Sequence, residues 1–149
     1  MNPANHIPPS PHHHETFYVD DLMNELRHYA AAELQKYGKS NVSIELCKLT
    51  DVEKYSLPAD RSLLRQIFIC LLDNAVQSTK TGCIFFGYHI SDVSTRNNIT
   101  FFVDDTGYGT FNETDPNYTK AQELIRQSGG KIEVRPSNIA GISVHFKIA

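Results

Sequence analysis

Between Asp60 and Thr79 the chain carries two apolar rows side by side, and few folds can house such a helix. Leu63, Ile67, Leu71 and Ala75 form one row; Leu64, Phe68, Leu72 and Val76 form the other. Residues four apart share a helical face, so this helix must be covered on more than one side. Asp60, just after Pro58, is placed to cap it. Gln66, Cys70 and Asn74, with Gln77 close by, line one edge.

The rest of the chain supplies the covering. Val19, Leu22, Met23, Leu26, Tyr29, Ala30, Leu34 and Tyr37 recur at helical spacing and predict a first helix, stopped by Gly38. Alternation predicts strands at Val42–Cys47, Cys83–Ile90 and Ile99–Val103, and a closing hairpin around Ile132–Val134 and Ile142–Ile148. A third helix is expected over Tyr118–Ser128, ended by Gly129 and Gly130. The sum is an α/β two-layer sandwich, with three helices on one face of a mixed, mostly antiparallel sheet. Residues 16–149 make this domain. Residues 1–15, rich in proline and histidine, read as a disordered arm or linker. His12, His13 and His14 there read as a solvated run rather than a metal site.

Composition narrows the function. Fourteen Lys and Arg against 17 Asp and Glu give a net charge of −3, which argues against a nucleic-acid partner and against an electrostatic membrane contact. The longest apolar run, Ile67–Leu72, is too short to span a bilayer. Cys47, Cys70 and Cys83 show neither a disulfide framework nor zinc spacing, which fits a reducing, cytoplasmic setting.

Two constellations carry chemistry. Asn74 puts an amide into an apolar helix, where its oxygen suits a Mg²⁺ held mainly by phosphates. By itself such a residue more often faces solvent or caps a loop. Asp105-Thr106-Gly107-Tyr108-Gly109 follows a strand; its carboxylate can accept from an exocyclic amine, and its glycines allow close approach to a flat ligand. Alone, it is also an ordinary turn.

In this order the two are more specific. Arg65–Thr79, containing Asp73-Asn74-Ala75, resembles the N box of histidine kinase ATP-binding domains. Val103-Asp104-Asp105-Thr106-Gly107-Tyr108-Gly109 resembles their G1 box. Lys120–Val134 and Gly141–Ile148 are similar to the helix, Gly-Gly and strands that close that domain. The resemblance spans about residues 17–149 and implies the Bergerat-type fold shared with gyrase-type ATPases. It implies ATP as ligand, with Asn74 chelating Mg²⁺, Asp105 binding the adenine amine, and Gly107 and Gly109 shaping the adenine pocket. The phosphoacceptor histidine would belong to a separate helical dimerisation domain, and a response regulator would be the downstream partner. The chain would then be cytoplasmic, or the cytoplasmic part of a membrane-anchored sensor.

The sequence departs from that pattern where phosphates would sit. Cys70 stands at the usual first Asn of the N box, and Gln77 at a usual basic position, with Lys80 nearby. Only residues 110–117 separate Gly109 from Tyr118, and the family's GxGxG motif is missing from them. Glycine-rich backbone at a helix start is what cradles polyphosphate. Glu113 and Asp115 would repel it instead. Weak or absent triphosphate binding is therefore expected. Three readings stay open: a histidine kinase catalytic domain, a degenerate non-catalytic module that binds a response regulator or partner kinase, and an anti-sigma-type Ser kinase.

Overall fold

A computed structural model describes residues 14–49, 54–91, 99–106, 114–136 and 142–148. The chain order is β1 (Glu15–Tyr18), α1 (Val19–Lys36), β2 (Val42–Leu49), β3 (Ser56–Ala59), α2 (Arg61–Ser78), β4 (Gly82–Ile90), β5 (Ile99–Asp105), α3 (Pro116–Gln127), β6 (Lys131–Pro136) and β7 (Ile142–Lys147).

The main sheet has the order β2-β4-β5-β7-β6. β2 and β4 are parallel, so their link must cross over, and α2 makes the crossing. The other three pairings are antiparallel. This is the expected mixed, mostly antiparallel sandwich.

α2 sits where its two rows require. Leu64, Ile67, Phe68, Leu71, Leu72, Ala75 and Val76 are all buried. Phe68 meets Phe86, Phe101 and Phe146 edge-on, with centroids 6.1, 5.7 and 5.2 Å away. Edge-to-face packing suits the ring quadrupoles and ties the helix to three strands. Asp60 caps α2, its side chain accepting from the Leu63 amide at 3.0 Å.

α1 ends in a Schellman turn. Gly38 takes φ +66°, and the Lys39 amide reaches back to the Leu34 carbonyl at 2.9 Å.

Some boundaries differ from those read in the sequence. β1 and β3 form a separate antiparallel pair, Glu15 opposite Ala59. Neither was expected, because each is only four residues long and β3 contains Pro58, which edge strands tolerate. Glu15, read as the end of the arm, is the first residue of β1. Residues 1–13 lie outside the described residues. β5 runs through Asp105 instead of stopping at Val103. α3 starts at Pro116, two residues before the expected Tyr118, because Asp115 and Pro116 make an efficient helix start.

Candidate functional site

Alternation along β5 sends Ile99, Phe101 and Val103 to the core under the helices, and Asp105 shares their side. Thr100, Phe102 and Asp104 point to the opposite face. Asp105 is almost fully buried and is paired in register with Ile84 near the start of β4. Residue Thr106 then latches the chain. Its amide donates to the Cys83 carbonyl at 2.9 Å, and its hydroxyl accepts from the Cys83 amide at 2.9 Å. Gly107, Tyr108, Gly109 and Glu113 lie outside the described residues.

Asn74 lies one turn before the end of α2 and is half-buried. Among the described residues its amide makes no side-chain hydrogen bond. Only Thr79, Lys80 and Thr81 separate α2 from β4. The last turn of α2, the start of β4 and the end of β5 therefore share one end of the domain, which brings Asn74 and Asp105 to the same end.

Two contacts that the sequence did not announce fix this end of α2. The Tyr29 phenol donates to the Asp73 carboxylate at 2.6 Å, pinning α1 to α2 beside Asn74. The Lys39 ammonium donates to the carbonyls of Val76, Gln77 (3.2 Å) and Thr79 (3.0 Å). A cation on the last carbonyls satisfies orphan acceptors and complements the helix dipole. Both contacts join residues far apart in sequence, so no local pattern could signal them. Thr79 itself is fully buried. Cys70 is buried too, and burial pushes its thiol pKa up. Gln77 and Lys80 are exposed.

The start of α3 is capped from within the chain. The Asp115 carboxylate accepts from the amides of Asn117 at 2.8 Å and Tyr118 at 3.4 Å. Pro116 has no N–H, and the Thr119 amide goes to the Asp115 carbonyl at 2.9 Å. The first-turn donors of α3 are thus occupied by the chain's own carboxylate. A helix start offered to phosphate keeps such amides open.

His145 is on the outer, wet face but only half-exposed. Its Nε2 is 2.6 Å from the Ser143 hydroxyl, which donates to Asp104 at 2.5 Å, and its ring stacks on Phe102. Burial, with Arg135 nearby, pulls its pKa below the usual imidazole value. Among the described residues no group of three or more His, Cys, Asp or Glu side chains could hold a metal ion. Among the described residues no helix is long and apolar enough to cross a membrane.

No family model and no curated protein sequence matches the chain. Solved structures do match in fold. The catalytic domain of histidine kinase ThkA aligns at a TM-score of 0.71 and 21% identity, covering 91% of this chain and 95% of that one. Full-length ShkA in complex with AMPPNP aligns at 0.73 and 18% identity, over 91% of this chain and 31% of ShkA. Histidine kinase ThkA in complex with the response regulator TrrA aligns at 0.66 and 20% identity, over 91% and 41%. The chain has the fold of a histidine kinase catalytic domain.

Proposed function

We propose that the chain is the nucleotide-binding domain of a histidine kinase-type phosphotransfer protein. What supports this reading is that Asp105 ends β5 and Asn74 lies near the end of α2, at the same end of a histidine kinase fold. ShkA, with the same fold, is known in complex with AMPPNP. In this reading Asp105 accepts from the adenine amine, and Gly107 and Gly109 let the backbone lie against the ring. Asn74 gives one oxygen to a Mg²⁺ held by the phosphates. Bound Mg-ATP would supply the phosphoryl group, destined for a histidine on a separate helical dimerisation domain. A response regulator is the matching downstream partner in this reading, and ThkA, with the same fold, is known in complex with the response regulator TrrA.

A second reading has its own support. Asp115 and Pro116 leave α3 without open first-turn donors, so the residues present fit adenine better than triphosphate. That favours a non-catalytic module that uses the kinase fold to engage a response regulator or a partner kinase.

Calorimetric titration with Mg-ATP, ADP and adenosine separates the two. Clearly tighter binding of ATP than of adenosine supports the catalytic domain. Equal binding of all three, lost in Asp105→Asn, supports the non-catalytic module with an adenine site. Equal binding by Asp105→Asn and the parent refutes the role of Asp105.

A further inference from the structure

The face of the sheet turned away from the helices is not the plain polar surface that strand alternation leads one to expect. One cross-strand row on it reads Cys47, Gly87, Phe102, His145 and Glu133. Gly87 carries no side chain into that row, and the Cys47 backbone packs directly against it. Phe85 and His89 flank it on the same strand, two residues either side. Phe102 is only 6% exposed, although it stands outside the core cluster. The His145 ring lies over it at 5.9 Å and 28°. The result is a hollow of about 530 Å³ reaching from Cys47 to Arg135. That volume is typical of small-molecule sites, as is an apolar floor with a few polar groups at its rim.

A second hollow, of about 330 Å³, shares Thr100, Arg135 and His145 with the first. The second hollow is basic. Lys131 and Lys147 stand directly opposite each other in the β6–β7 register, and Arg135 is on the same strand as Lys131. Glu133 is the one acidic residue among the described lining of this hollow; it is 67% exposed and 3.5 Å from Arg135, a pair worth little in water.

We propose that the two hollows form one site for a small organic anion, an aryl or acyl carboxylate. Its apolar body lies over Cys47, Phe85 and Phe102, and its head group meets the Lys131 ammonium and the Arg135 guanidinium. This site is on the opposite face of the sheet from Asp105 and Asn74, so it is separate from the nucleotide site. The concave, aromatic floor favours a small molecule over a protein surface, which would need a broad, flatter patch.

The test is an amide NMR titration of the whole chain with 2-naphthoate and with decanoate, each beside its neutral carboxamide. The expected result is saturable shifts centred on Phe85, Phe102, His145 and Lys131 with at least one of the two acids. The matching carboxamide should bind about tenfold more weakly, the size of a lost charge-assisted contact. Lys131→Gln, a surface change, should weaken the acid about fivefold. Preference for naphthoate assigns an aryl ligand, and preference for decanoate an acyl one. Absence of saturable shifts on this face with both acids, or equal binding of acid and carboxamide, overturns the proposal.

Discussion

The Tyr29 phenol and the Asp73 carboxylate, 44 residues apart in sequence, meet at 2.6 Å and set the spacing of α1 and α2 one residue before Asn74. Burial raises the Asp73 pKa above the usual carboxylate value, and the Tyr29 hydrogen bond opposes that rise. A carboxyl with a raised folded pKa holds its proton more tightly in the native state. Its effect on stability is therefore most favourable below pH 3.8, the unfolded value, and is lost as pH rises through the folded pKa. Tyr29→Phe should move the Asp73 titration further up, as read by carboxyl-carbon NMR. It should also cost about 1.5 kcal/mol near neutral pH, the low end for a hydrogen bond to a charged group. An unmoved Asp73 midpoint would show that the contact does not persist in solution.

Glu25 behaves with the opposite sign. Its carboxylate accepts from Arg61 at 2.9 Å and from Arg65, both on α2. These two guanidinium groups hold its pKa below the usual value of 4.5. Stability from this fork is fully present above pH 4.5 and is lost as pH falls through the lower folded pKa. Glu25 and Arg65 are 41% and 40% exposed, so solvent screens the pair. Glu25→Gln should cost about 0.5–1 kcal/mol at neutral pH, less in high salt, and nothing at pH 2. Urea midpoints across pH and salt check all three.

A methyl group does not fit at Gly87. With φ at +157°, its Cβ would stand 1.7 Å from the Cys47 carbonyl oxygen on the parallel neighbour. Gly87→Ala must part β2 from β4, with an expected loss of about 3 kcal/mol. Hydrogen exchange should show the β2 amides losing protection before those of β5 and β7. A variant as stable as the parent would mean that the two strands pair less closely than described.

Asp115 offers a test with two readouts of opposite sign. Asp115→Ala removes the cap of α3 and should cost about 1 kcal/mol of stability. The same change frees the amides of Asn117 and Tyr118 and removes a negative charge. Under the proposed nucleotide reading, the ratio of ATP to adenosine affinity should rise. A lower or unchanged ratio would place the phosphates away from α3.

The parts of this molecule that repeat locally were legible from sequence. The double row of α2, the alternation of β4 and β7, and the glycines after α1 and α3 each report their own element, because each is dictated by neighbours three, four or two positions away. β1 and β3 were not legible: four residues are too few to establish a period. At the candidate site, Asn74 and Asp105 stood out through residue type and order. What braces them did not. Lys39 on the end of α2 and Tyr29 on Asp73 are contacts across space, and nothing near either residue in the chain marks its partner. The surroundings of His145 were hidden for a related reason. Alternation places it correctly on the outer face, but only Phe102 and Ser143 beside it turn that face into a hollow.

Asp104 and Asp105 are chemically identical neighbours whose surroundings have nothing in common. One accepts from Ser143 on the outer face; the other is buried on the helix side. Only the phase of the pleat distinguishes them. Loss or gain of a single residue between Ile99 and Val103 would swap their addresses while leaving the local Asp-Asp-Thr-Gly text unaltered. A related chain could thus keep the motif letter for letter and yet turn the other carboxylate inward. The distance from the motif back to the aromatic strand residues Phe101 and Phe102 is therefore as diagnostic as the motif itself.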